Sequence, residues 1–197
     1  MTTDTPRSLL ERLCQPNAAP ADWDRLVAVY GPLLRMWLAR YPLQGADTDD
    51  LVQEVLAVLV RKLPGFRHNG RAGAFRAWLR SVLAYQVRWF YRRRDSLPEP
   101  TDPRDPGSVL LQLAKSDSDV SRRWEEEHDR HVVARLLNLI RPEFAATTWE
   151  AFERSALDGR PAAEVGAELG LSANAVCLAR SRVLRRLREE ARGLVDE

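Results

Sequence analysis

The chain is 197 residues long, 45 % apolar, and carries six Trp and a formal net charge of +2. That length holds one medium domain or two small ones, and the apolar share supports a packed core with large aromatic anchors. No apolar run is long enough to span a bilayer, residues 1–30 lack an apolar signal core, and Cys14 and Cys177 are too far apart in sequence for a disulfide framework or a zinc site, so the composition points to a soluble protein of the reducing cytoplasm, with no membrane insertion.

Nearly every periodic segment predicts helix. Asp22 can cap a helix over 23–41, with Leu26, Val29, Tyr30, Leu33, Leu34, Trp37 and Leu38 on its apolar side and Gly31-Pro32 predicting a kink or break. Thr48 or Asp49 can cap a second helix over 50–62, stopped by Pro64 and Gly65. A loop rich in Gly and Arg leads into a long helix over 74–94. At 100° per residue its wheel groups Phe75, Trp78, Leu79, Val82, Leu83, Trp89 and Phe90 as a core arc. Arg76, Arg80, Ser81, Arg88 and Arg92 fall opposite with Tyr91, and Tyr85 lies at the border. Residues 95–121, with Pro98, Pro100, Pro103 and Pro106 among many Asp and Ser, read as a linker. Four more helices are expected at 122–140, 142–158, 161–169 and 173–192, with Pro142 and Pro161 in first turns and Gly159 and Gly170 at C-termini. The fold class is therefore all-α: two small helical modules, 1–94 and 122–197, joined by a Pro/Asp-rich linker.

Charge is unevenly spread. Residues 61–94 hold ten bases and no acid, whereas 95–131 carry a net charge of −5. An acid-free block of that length gathers polyanions, and its natural partner is a phosphate backbone. In the C-terminal module, Pro161 to Val176 read as a short helix, a turn and a second helix capped by Ser172. Val165, Leu169, Leu171 and Val176 are placed to pack the pair as a helix-turn-helix. On the second helix Asn174, Cys177, Leu178, Ser181, Arg182, Arg185 and Arg188 face outward, small polar groups before arginines, an order that suits base edges first and phosphates next.

Other constellations fall short of a reaction. Asp47, Asp49, Asp50 and Glu54 have no His or Cys beside them, and carboxylates are favoured near a helix N-terminus. His128 and His131 have no third ligand nearby and are expected on a solvated helix face. The loop from Gly65 to Gly70 lacks the Lys-Ser/Thr of a phosphate loop and no strand precedes it. The expectation is a non-enzyme, with no catalytic residue, cofactor or metal.

The motifs Asp50-Leu-Val-Gln53-Glu54-Val, Gly65-Phe66-Arg67, Phe75-Arg-Ala-Trp78-Leu79-Arg80 and Arg92-Arg93-Arg94, together with the helix-turn-helix, resemble a sigma factor of the sigma-70 family, of the short extracytoplasmic-function type. The resemblance covers about 22–94 (region 2) and 122–192 (region 4). It implies an alternative sigma factor that binds core RNA polymerase and directs promoter recognition and transcription initiation. It assigns Asp50, Gln53 and Glu54 to polymerase docking, and Phe66, Arg67, His68, Arg76, Arg80, Tyr85 and Arg88 to recognition and melting of the −10 element. Ser172, Asn174, Cys177, Leu178, Ser181, Arg182 and Arg185 fall to the −35 element. An anti-sigma factor is a further partner that the resemblance allows. Two departures stand out: Tyr85 replaces the family's usual Asn, and Ala175-Val176-Cys177-Leu178-Ala179 replaces T-V-K-S-R. The alternatives are a classical helix-turn-helix regulator acting outside the polymerase, which leaves the Asp50–Glu54 pattern unexplained, and an adaptor that binds only proteins, which the basic block opposes.

Overall fold

The computed structural model describes residues 7–41, 43–66, 73–93, 112–113, 115 and 118–195. Eight α-helices follow one another among these residues: α1 Leu9–Leu13, α2 Pro20–Leu38, α3 Gly45–Lys62, α4 Ala74–Arg93, α5 Asp119–Ile140, α6 Ala146–Phe152, α7 Ala162–Leu169 and α8 Ala173–Ala191. The described residues contain no strand, only an isolated bridge between Arg192 and Val195. None of their helices is long and apolar enough to cross a membrane.

Several boundaries differ from expectation for local reasons. The short α1 was not expected; it is fixed by a reciprocal cap in which Glu11 N–H donates to Ser8 Oγ (3.2 Å) and Ser8 N–H donates to Glu11 Oε2 (2.8 Å). Helix α2 starts with Pro20 in its first turn and runs on through Pro32. Asp22 therefore sits inside the helix and receives a hydrogen bond from Arg12 instead of capping (2.8 Å). Helix α3 begins at Gly45, and the Thr48 hydroxyl donates back to the Gln44 carbonyl (3.2 Å) rather than capping a later start. Helix α5 opens at Asp119 under a Ser118 cap. Pro142 lies in a 3-10 turn, Arg141–Glu143, so α6 starts only at Ala146 and then widens into a π turn, Glu153–Leu157, where Ser155 Oγ donates to the Ala151 carbonyl (2.6 Å). Pro161 stands as N-cap of α7 rather than in its first turn.

One hydrophobic core runs through both halves of the chain. It takes Leu33 and Trp37 from α2, Leu51 and Val55 from α3, Phe75 and Leu79 from α4, Trp124 and Leu136 from α5, and Val183 and Leu187 from α8. The seam is the contact of α2 with α5. There Trp37 and Trp124 meet edge to face with centroids 4.9 Å apart, and Tyr30 lies against His128 at 5.8 Å. His128 is fully buried, and His131 Nε2 bonds the Val29 carbonyl at 2.9 Å. The expected solvated histidine face is thus an internal one. Its reason is the aromatic partner: with Trp124 anchored on Trp37, positions 128 and 131, one turn and two turns on, fall on the same side of α5.

A second tie joins the ends. Glu190 of α8 is 1 % exposed and receives hydrogen bonds from Arg12 (2.8 Å), Arg25 (3.1 Å) and Arg186 (2.9 Å). Burial alone would raise its carboxyl pKa, but the hydrogen bonds from Arg12 and Arg186 outweigh burial and hold it below the ordinary glutamate value. A carboxyl with a depressed folded-state pKa adds stability above its unfolded value and loses it as pH falls through the folded one. Melting temperature should therefore drop as pH falls from ~4.3, the ordinary glutamate value, through the lower folded-state value. Glu190→Gln should remove about 1–3 kcal/mol at neutral pH, since the three arginines keep some access to water, and should flatten that acid dependence. A melting series from pH 7 to pH 3 in which the variant and the wild type lose stability in parallel would exclude this role for Glu190.

Candidate nucleic-acid interface

The first surface is acidic and lies on α3. Leu51, Val52, Val55, Leu56 and Leu59 turn into the core, which leaves Asp50 and Gln53 exposed and Glu54 half-buried on one side of the helix. Asp49 is engaged elsewhere, in an exposed ion pair with Arg35 at 2.9 Å. Between α3 and α4 lies a cleft of about 220 Å³ lined by Asp47, Asp50, Glu54, Phe90 and Arg93. The Glu54 Oε2 is buried and accepts no hydrogen bond from the described residues. A desolvated carboxylate oxygen beside a cleft favours an incoming donor, cationic by preference.

The second surface is the basic block on α4. Its buried residues include Phe75, Leu79, Leu83, Val87 and Tyr91, a step of four each time. Four residues turn the helix by about 40° beyond a full circle, so this stripe slides around the helix along its length. A fixed arc consequently misplaces the far end. Trp89, expected in the core, is 39 % exposed with Arg93 over its ring at 4.5 Å, and Tyr91, expected among the arginines, is buried. Tyr85 is 66 % exposed, Arg88 and Arg92 are exposed, and a groove of about 310 Å³ runs between Arg61, Tyr85, Gln86 and Trp89. Rings and cations thus alternate over this end of α4, which suits unpaired bases and their phosphates. Phe66 is half-buried and packs its ring on Phe75 (5.8 Å) and Trp78 (5.1 Å). Arg67 and His68 lie outside the described residues.

The N-terminal end of α4 is different. The wheel sets Arg76 and Arg80 outward, yet Arg80 is 5 % exposed. Helix α5 covers both: Arg76 Nη1 pairs with Asp129 at 2.5 Å and Arg80 Nη1 with Glu125 at 3.1 Å. Beside them Arg40 holds Glu127 at 2.7 Å while stacking over the Trp37 ring. Burial pushes the Asp129 carboxyl up, but hydrogen bonds from His128 and Arg76 outweigh it and hold the pKa below the ordinary value. The acidic run 125–129 was the missed participant. Its sign, opposite to that of the acid-free block, was the available signal.

The third surface is built by α7, a turn and α8. Gly170 ends α7 at φ 66°, and the Ser172 side chain accepts from Ala175 N–H at 3.1 Å to open α8. Val165, Val176, Ala179 and Ala151 form a small satellite core beneath the pair. Asn174, Ser181, Arg182 and Arg185 are exposed, Leu178 is 48 % exposed, and Cys177 is half-buried. The angle between α7 and α8 depends on Gly166. A Cβ there would lie 2.6 Å from the Leu171 carbonyl oxygen, whose own N–H bonds Gly166 O at 2.8 Å. Helix propensity favours Ala over Gly by about 1 kcal/mol, but a backbone clash of this size costs about 1–3 kcal/mol. Gly166→Ala should therefore lower the melting temperature, whereas Gly45→Ala, with no atom within 4 Å of the new Cβ, should not. Equal melting temperatures for Gly166→Ala and the wild type would show that the turn yields freely.

Residues 26–97 match the family model described as Sigma-70 region 2. No match is found among curated proteins.

Proposed function

We propose, from the premise that residues 26–97 carry a sigma-70 region 2 and so belong to a non-enzymatic module that binds core RNA polymerase and promoter DNA, that the whole chain is an alternative sigma factor of the extracytoplasmic-function type. In this reading 1–94 is region 2, 95–121 the linker and 122–197 region 4, and the protein works in the cytoplasm. The observation that carries the polymerase assignment is the acidic side of α3, where Asp50 and Gln53 are exposed and a buried Glu54 oxygen, without a hydrogen bond from the described residues, borders the cleft. These three residues dock on a basic surface of the polymerase.

The exposed end of α4 serves the −10 element. Arg88 holds backbone, and Tyr85 offers a ring where the family usually has Asn, so contact with the displaced strand passes from hydrogen bonding to stacking. The pair α7–α8 acts as a helix-turn-helix on the −35 element. Ser172, Asn174, Cys177, Leu178 and Ser181 enter the major groove, where Asn can pair bidentately with adenine and Leu178 can meet a thymine methyl. Arg182 and Arg185 grip phosphates. Because Ala175 to Ala179 depart from T-V-K-S-R, the upstream sequence read differs from the family's usual one. An anti-sigma factor fits the same three surfaces as a partner that withholds them.

Charge reversal at Asp50 and Glu54 should weaken capture of core polymerase at least tenfold while circular dichroism stays normal. Wild-type capture by a folded D50K/E54K protein would refute the docking face. Asn174→Ala should cost about 1–3 kcal/mol at one upstream base pair and relax preference there, whereas Arg182→Ala should weaken all sequences alike and lower the salt slope by about one. Binding selection on randomised upstream DNA separates the two; a motif untouched by Asn174→Ala but altered by Arg182→Ala would reverse the assigned roles.

A further inference from the structure

Five side chains of α4 share one face at steps of three and four: Tyr85, Arg88, Trp89, Arg92 and Arg93. All five are exposed. Tyr85 and Trp89 look across the groove of about 310 Å³ to α3. On the α3 side the groove is bounded by Glu54 and Arg61, with Ala57 and Val58 between them. Seven residues of helix separate the two charges, about 10 Å along the axis. Glu54 as a carboxylate only accepts hydrogen bonds, and Arg61 only donates them. A flat ring lying over Ala57 and Val58 therefore meets an acceptor at one edge and a forked donor at the other. We propose that this groove holds one unpaired guanine, and that Arg61, Gln86 and Trp89 help to select it. This rests on the sigma-factor reading above and adds to it the identity of a base held in the melted strand.

The choice of guanine follows from the two ends of the groove. Guanine carries the acceptors O6 and N7 along one edge and donates from N1 and N2 on the other. Arg61 forks onto the first edge and Glu54 accepts from the second. Adenine and cytosine have a single exocyclic amino donor and thymine has none, so each leaves one end of the groove poorly matched. An arginine or a carboxylate from a protein partner would satisfy one end and be repelled by the other. Stacking supplies the affinity. The Trp89 ring is steadied by Arg93, whose guanidinium lies 4.5 Å from its centroid, and Tyr85 presents a second ring one turn earlier. Arg88 and Arg92 are placed to hold the phosphates on either side. Gln86 is half-buried in the groove, and its amide can both donate to and accept from the ring edge. Glu54 borders this groove as well as the docking cleft, so base and polymerase are gripped on neighbouring sides of one residue.

The test uses the full chain, alone and with core polymerase, and fluorescein-labelled thymidine oligonucleotides of about 12 nucleotides. The central position is guanine, adenine, cytosine, thymine or 7-deazaguanine, and binding is read by anisotropy at about 50 mM salt, where phosphate contacts are strong. Guanine should bind about tenfold tighter than the other three natural bases. The 7-deaza analogue has lost one acceptor for Arg61 and should fall back by about threefold. Arg61→Lys keeps the charge but not the fork, so it should erase the guanine preference and leave the salt dependence unchanged. Trp89→Ala should weaken every oligonucleotide alike by about fivefold or more, and Trp89→Phe should restore most of that loss, because stacking is indifferent to sequence. Equal affinity for the four natural bases, or a guanine preference that survives Arg61→Lys, overturns the proposal. So does a Trp89→Ala protein that loses capture of core polymerase while binding the oligonucleotides normally, which would give the groove to a polymerase side chain. The underlying reading fails separately: a wild-type chain that captures no core polymerase is not a sigma factor, whatever its base preference.

Discussion

The structure depends on one contact, the burial of Trp124 between the two halves of the chain. Its ring lies on Trp37, its indole N–H points to the Arg76 carbonyl at 3.4 Å, and it is fully enclosed. A buried ring of this size contributes about 3–5 kcal/mol, more than any single ion pair around it. With Trp124 fixed, the turn that follows places Glu125, His128 and Asp129 against α4 and α2. The acid–arginine pairs are therefore consequences of an apolar anchor, and they determine which cations of the basic block remain free.

That arrangement sorts the three surfaces. The acidic side of α3 and the outward face of α8 are open, and only part of α4 is covered. The Glu190 tie to Arg12 and Arg25 joins α8 to α1 and α2.

Much of this was legible in the sequence. The helical periods, Gly170 and Ser172 located α7 and α8 closely, and the motif from Asp50 to Glu54 marked an outward face that the structure leaves available. What escaped had definite causes. Helix α1 is a single capped turn too short for periodicity, although Ser8 and Glu11 spell its capping box. The far end of α4 was misread because its buried stripe steps by four and drifts, which moved Trp89 out and Tyr91 in. The closure of Arg76 and Arg80 by Glu125 and Asp129 joins residues about fifty positions apart, and no local pattern encodes such a contact. Only the opposed charge of two neighbouring segments hinted at it.

The central claim is that this chain confers promoter-specific initiation on core polymerase. The most direct measurement is run-off transcription with purified core polymerase on genomic fragments, with start sites mapped. The sigma-factor account predicts discrete starts that appear only when the chain is added, each preceded by a shared pair of upstream elements. Tight binding of the chain alone to duplex DNA, with no new starts on adding core polymerase, would contradict it and favour a regulator that acts outside the enzyme.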